Sequence, residues 1–166
     1  MLREPINGAN AIVLDGEGKI LMVRHSYGKK QWALPGGGIE RGEAPSHGAQ
    51  EETEEETGII IDAGELRLIA YFVQRPKGIV FLFEATRFSG NLITEPNDEV
   101  LESRFMSFDE ILKMESEVGL GYRRMIVRYR RCSLCIDKIP YEGRLSDKVE
   151  YPKTPGVDYS NVMFVI

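Results

Sequence analysis

The chain has 166 residues, 42% hydrophobic and 28% charged, an ordinary globular balance with length for one core burying roughly two thirds of the unfolded surface. Its formal net charge of −5 argues against a nucleic-acid groove, which needs a basic field, but leaves room for a small phosphorylated ligand whose charge a bound cation neutralises. No apolar run approaches the ~20 residues that span a bilayer, and MLREPINGAN lacks the apolar stretch of a signal peptide, so a cytoplasmic protein without membrane contacts is expected.

In chain order, NAIVL and ILMVR flank the glycine-rich turn DGEGK and read as a β-hairpin. HSYGKK follows as a loop and QWALP as a short strand ended by Pro35. Gly36, Gly37 and Gly38 then form a turn whose backbone, free of Cβ atoms, can approach a ligand closely. Residues 45–57 are expected to be helical, with Pro45 in the first turn and Gly58 as the C-terminal cap. Ala44 is a poor N-cap, and Gly48 costs the helix about 1 kcal/mol relative to alanine. ELRLIAYFVQ and GIVFLFEAT read as strands joined by RPKG. SGNLITEPNDEVLES reads as a polar loop leading into RFMSF, then the short helix FDEILKM.

GYRRMIVRYRRCSLCI follows as an amphipathic helix, its apolar face carrying Tyr122, Met125, Ile126, Tyr129, Cys132 and Ile136 at spacings of three or four. The arginines between them form a solvated face. Cys132 and Cys135 make the one C-x-x-C. With His25 and His47 the only histidines, a four-ligand zinc site lacks partners, and the pair reads as small side chains on a helix. The closing VMFVI is either a final strand or a dimer contact. Strands around a central helix, with later helices, indicate an α/β fold with a mixed sheet between helical layers.

Five glutamates crowd the helix at Glu51, Glu52, Glu54, Glu55 and Glu56. At ~100° per residue, Glu52, Glu55 and Glu56 share an arc of about 100°, Glu51 borders it and Glu54 points away. Like charges at i, i+4 and carboxylates at a helix C-terminus both oppose stability. A hard divalent cation resolves the conflict, and the adjacent glycines bring backbone carbonyls toward the same face. A metal–phosphate site is expected.

These residues resemble the Nudix box, G-x5-E-x7-R-E-U-x-E-E-x-G-U with U aliphatic: Gly37, Glu43, Glu52, Glu55, Glu56, Gly58 and Ile59 match, preceded by W-x-L-P-G-G. Two positions depart, Glu51 standing for arginine and Thr53 for an aliphatic residue. Arg41 or Arg24 is a candidate to supply the missing cation. The resemblance implies an α/β/α sandwich with a mixed central sheet over residues 1–139, residues 140–166 being an extension packed on the same domain. It implies a pyrophosphohydrolase cleaving a nucleoside diphosphate linked to another moiety, ADP-ribose or a dinucleotide first and an oxidised nucleoside triphosphate second. Pro76 lies near a proline associated with ADP-ribose cleavage.

By the same resemblance, Glu52, Glu55, Glu56 and the Gly36 carbonyl would hold Mg²⁺ or Mn²⁺. Glu43 would support the helix, Glu51 adding charge beside it. The general base would be Glu52 itself or a later carboxylate, Glu99 or Glu102. Arg24 and His25 could face a phosphate, His25 alternatively being a plain strand end. Trp32, Tyr27 and Phe72 could stack on a base, with Gly37 lining the substrate site. A homodimer is implied as well. Because of Glu51, a nucleotide-binding module with impaired catalysis is the competing reading.

Overall fold

The structure, a computed structural model, describes residues 7–62, 64–74, 78–93, 95–136 and 162–164. Their elements are β1 (Gly8–Val13), β2 (Ile20–His25), β3 (Trp32–Ala33), β4 (Gly36–Gly38), α1 (Pro45–Thr57), β5 (Ile59–Ile61), β6 (Arg67–Gln74), β7 (Gly78–Ala85), β8 (Phe88–Gly90), β9 (Val100–Met106), α2 (Phe108–Lys113), α3 (Leu120–Ile136) and β10 (Val162–Phe164).

β1 is buried on both faces, which is why it reads as a nearly unbroken apolar run. One face carries Ile12 into a core with Met22, Trp32, Leu34, Leu82 and Met106, closed by Ile111 of α2 and by Met125 and Ile126 of α3. The other carries Ala11 and Val13 against Leu21, Ile59 and Ile61, while Ala9 meets Ala49 of α1 and Phe83. The strands thus lie between α1 and the α2–α3 pair, the expected α/β/α arrangement. The largest sheet, β10-β6-β7-β1-β4, is mixed: β1 runs parallel to β7 and antiparallel to β4. Tyr122 and Tyr129 of α3 pack against the core at the expected spacing.

Three expectations are corrected. The DGEGK turn is present, held by Asp15, whose Oδ1 accepts from the N–H groups of Glu17 (2.9 Å) and Lys19 (2.8 Å). Yet β1 and β2 share only the bridge Leu14↔Ile20. Both edges of β1 are taken by β7 and β4, so β2 joins a separate sheet, β3-β2-β9. The glycine turn is a strand, with Ala9 opposite Gly37 and Asn10 opposite Gly36. The polar loop contains part of β8 and the start of β9, because β9 pairs with β2 along its length and pairing overrides its weak strand composition. β5, pairing with β8, is a further strand the periodicity did not mark.

β10 pairs antiparallel with β6, Val162 opposite Phe72 and Phe164 opposite Ala70, the closing-strand reading of VMFVI. Pro76 lies outside the described residues. Cys132 and Cys135 lie on α3, their side chains outside the described ones.

Gly58 ends α1 in the left-handed region at φ 74°, its N–H donating to the Glu54 carbonyl at 2.7 Å. A Cβ there would stand 2.4 Å from the Asn91 carbonyl oxygen. Gly58→Ala is therefore expected to lower unfolding free energy by more than the ~1–2 kcal/mol of left-handed strain alone, measurable by urea denaturation.

Candidate active site

α1 begins with Pro45 at its first turn and no side-chain cap from Ala44. Its stability comes from a buried stripe, Gly48, Ala49, Thr53, Glu56 and Thr57, packed on β1, β4 and β5. The hydroxyl of Thr53, standing at an aliphatic position of the box, is satisfied by donating to the Ala49 carbonyl at 2.6 Å. Thr57 does the same toward Thr53 and accepts from the Ile59 N–H at 3.1 Å. The substitution is absorbed within the helix.

Glu56 is the innermost carboxylate, 5% exposed. Its Oε2 accepts from the Gly36 N–H at 3.0 Å and its Oε1 lies 2.9 Å from His25 Nε2. An ionised carboxylate only accepts, so His25 presents Nε2–H to it. The Tyr27 ring stacks on His25 at 4.7 Å between centroids and is 59% exposed. His25 is therefore no plain strand end but the partner of a buried acid.

Glu52 lies at the rim of the buried stripe, half-buried against β4. A Cβ on Gly37 would come 2.3 Å from Glu52 Oε1, so this glycine is what lets the carboxylate lie on the strand. Burial pushes the Glu52 carboxyl above its usual range, and the charges of Glu56, Glu55, Glu99 and Glu43 push it further. Burial, then Glu56, Tyr122, Glu99 and Glu52, likewise raises the Tyr27 phenol. Glu55 is exposed on the same rim.

Glu99 is set just ahead of β9 by Asn97, whose Oδ1 accepts from the N–H groups of Glu99 and Val100 at 2.9 and 2.7 Å; the Glu99 carbonyl accepts from the Ser26 N–H at 2.8 Å. Glu102 goes elsewhere. It lies opposite Arg24 in the ladder, its carboxylate 3.5 Å from Arg104 Nε. Of the two later carboxylates, the structure brings Glu99 into the electrostatic field of Glu52.

The ligand-facing expectations for two residues, Trp32 and Phe72, are corrected. Trp32 is 2% exposed, with the Arg104 guanidinium over its ring at 5.2 Å, and Phe72 is 8% exposed. Both rings fill the core with Ile12, Met22 and Leu34, since each lies on the inner face of a paired strand. Arg24 donates from Nε to the Lys30 carbonyl at 3.1 Å, tying down the loop after β2. Tyr27 is the exposed aromatic beside the carboxylates.

At the start of α1, Glu43 Oε2 accepts from the Glu40 N–H at 2.7 Å and Oε1 lies 3.2 Å from His47 Nδ1. The Glu40 N–H first, then His47, holds the Glu43 carboxyl below its usual range. The same Nδ1 is 3.4 Å from Glu51 Oε2. Neither Arg41, exposed, nor Arg24, bonded to Lys30, supplies the cation beside Glu51. The i, i+4 spacing of Glu43, His47 and Glu51 was the sequence signal for this contact.

Among the described residues, Glu43, His47 and Glu51 bring one ligating atom each within 4.8 Å of one another. Among the described residues, Glu52, Glu55 and Glu56 do not form such a group. The donor set around Glu52 is nonetheless all carboxylate oxygen on a bare glycine backbone, with one member pushed toward its neutral form by burial and then by its neighbours. That chemistry fits a hard divalent cation.

Residues 5–129 match the NUDIX domain, and the chain belongs to that family. A MutT-like protein of Streptomyces ambofaciens is 30% identical over 107 residues, 64% of this chain and 67% of that protein. Among solved structures, the MutT protein of Methanosarcina mazei Go1 superposes with a TM-score of 0.64 at 25% identity, covering 80% of this chain and 99% of that one. An Ap4A hydrolase of C. elegans, in a binary complex, shares the fold with a TM-score of 0.57 at 17% identity, over 80% of this chain and 99% of that one. Family membership makes the protein a hydrolase acting on pyrophosphate bonds. Among the described residues no helix is long and apolar enough to cross a membrane.

Folded Glu52 takes up its proton at higher pH than the unfolded chain does. Its contribution to stability is complete below the unfolded pKa, near 4.5, and is lost as pH rises through the raised folded value. Glu52→Gln removes that loss. In chelator-treated protein at pH 7 the variant is expected to melt higher than the unaltered chain, and at pH 4 the advantage should vanish. The variant should also lose most of the rise in melting temperature that Mg²⁺ or Mn²⁺ produces.

Proposed function

We propose that the protein is a Mg²⁺- or Mn²⁺-dependent hydrolase of nucleoside diphosphates linked to another moiety, with an ADP-ribose-like compound or a dinucleotide as first substrate class and an oxidised nucleoside triphosphate as second. The observation that carries this reading is half-buried Glu52, pressed on Gly37 and crowded by Glu55, Glu56, Glu99 and Glu43. Glu52, Glu55 and Glu56, with the Gly36 carbonyl, would hold the cation. When bound, it neutralises pyrophosphate oxygens and lowers the pKa of a water.

The remaining roles belong to the chain. His25 and the Gly36 N–H hold Glu56 in place. Glu99 accepts the proton of the attacking water, whose oxygen bonds to one phosphorus as the bridging P–O bond breaks. The bridging oxygen leaves with the phosphorylated moiety, and nucleoside monophosphate is the other product. Tyr27, exposed and braced from behind by His25, offers its ring to the nucleobase.

Purified protein assayed with each metal against ADP-ribose, diadenosine polyphosphates, nucleotide sugars and nucleoside triphosphates should release nucleoside monophosphate. Glu55→Gln should cut kcat by about 10²-fold or more, and because Glu55 is exposed the fold should survive. Tyr27→Ala should raise KM about tenfold at nearly constant kcat, in line with ~1–3 kcal/mol for base stacking, and Tyr27→Phe should not. Nucleotide binding by calorimetry without turnover of any of these compounds would favour the catalytically impaired binding module instead.

A further inference from the structure

The junction between β4 and α1 is closed by one carboxylate. The Glu43 N–H donates to the Glu40 carbonyl at 3.1 Å, and the Glu40 N–H donates back to Glu43 Oε2 at 2.7 Å. The other oxygen of Glu43, a side chain only 14% exposed, reaches into the helix to His47 Nδ1 at 3.2 Å. Glu51, 57% exposed, brings its own carboxylate to 3.4 Å from that nitrogen. Glu43 from the loop and Glu51 from the next turn are the charged groups that face His47. With no side-chain cap at Ala44, the Glu43–His47 contact adds a side-chain link between loop and first turn to the backbone bonds that His47 and Gly48 make to the Ala44 carbonyl. Packing leaves little slack there, since a Cβ on Gly48 would lie 3.2 Å from Glu43 Oε1.

We propose that His47 is a positioning residue: its Nδ1–H holds Glu43 and Glu51 side by side, fixes the start of α1, and through the helix sets Glu52 against Gly37. Two carboxylates this close repel unless a donor stands between them. Glu43 is also among the charges acting on Glu52, so a displaced Glu43 changes the field at that carboxylate as well as the helix position. The geometry carries its own rescue. Position 51 already places a side-chain oxygen within 4.8 Å of Glu43, so an arginine there, longer and with a forked donor, reaches Glu43 without His47.

The kinetic part of the test rests on the hydrolase reading; the metal-binding part does not. Mn²⁺ alone is titrated into the metal-free protein and followed by electron paramagnetic resonance for the unaltered chain, His47→Ala and His47→Ala/Glu51→Arg. His47→Ala should weaken Mn²⁺ binding about fivefold, less than the ~10–100-fold typical of groups bonded directly to a ligand. It should lower kcat by a similar factor with KM unchanged. The double variant should return both quantities to near the unaltered values, and should decide the matter even where His47→Ala alone folds poorly. A single variant that binds Mn²⁺ as the unaltered chain does, or a double variant no better than the single, overturns the proposal. Should the unaltered protein bind Mn²⁺ yet hydrolyse nothing, the hydrolase reading fails while the Mn²⁺ comparison still judges His47. An unaltered protein that binds no Mn²⁺ overturns both.

Discussion

Glu56 joins three distant segments of the chain at one buried carboxylate: its own helix, the Gly36 N–H of β4 and the His25 ring at the end of β2. An ionised group taken out of water is tolerated only when its oxygens are hydrogen-bonded, and deleting one partner leaves a charge stranded. The contact therefore has one good geometry. It sets the rotation of α1 about its axis, which puts Glu52 and Glu55 on the rim of the buried stripe. It also sets the end of β2, and so the place of Tyr27, stacked on His25. Carboxylates and aromatic ring share one frame because both are tied to Glu56.

The helix that carries these groups is poorly suited to stand alone. It lacks a side-chain cap, has a glycine in its fourth position, and ends in carboxylates with no basic residue in its last turn. Tertiary burial of Ala49, Thr53 and Thr57 supplies what local propensity does not. Such a conflict between levels is characteristic of sites that act on charge, where mutual repulsion is the condition a cation relieves.

The bounds of α1 were legible in the sequence because Pro45 and Gly58 are local signals, and α3 because Tyr122, Met125, Ile126 and Tyr129 repeat along one face. β6 and β7 were legible as apolar runs. What failed was everything decided by a distant partner. β1 and β2 looked like a hairpin because a turn separates them, yet the edges of β1 were claimed by β4 and β7. The start of β9, residues 100–103, was read into a polar loop because of the polar residues around it, and pairing with β2 makes it a strand. Trp32 and Phe72 looked like stacking platforms because an aromatic residue reads the same whichever face it occupies. The pairing of His25 with Glu56 gave no signal, since the two lie 31 residues apart on different elements. Between Glu99 and Glu102 the sequence leaned to Glu99, and only the ladder shows that Glu102 lies opposite Arg24.

The two departures from the box bear differently on catalysis than the sequence suggested. Thr53 faces inward, and its hydroxyl is satisfied within its own helix, so no packing defect is passed to the neighbouring glutamates. Glu51 faces outward and meets His47, not Glu52 or Glu56. The charge change is thus confined to the helix's first turns, one histidine away from the junction it would otherwise loosen. Glu52 is half-buried on bare glycine backbone and raised by burial and by the neighbouring carboxylates, a cost to the fold that a bound cation would offset. That cost sits where the family's hydrolase chemistry would use it, and neither departure from the box removes it.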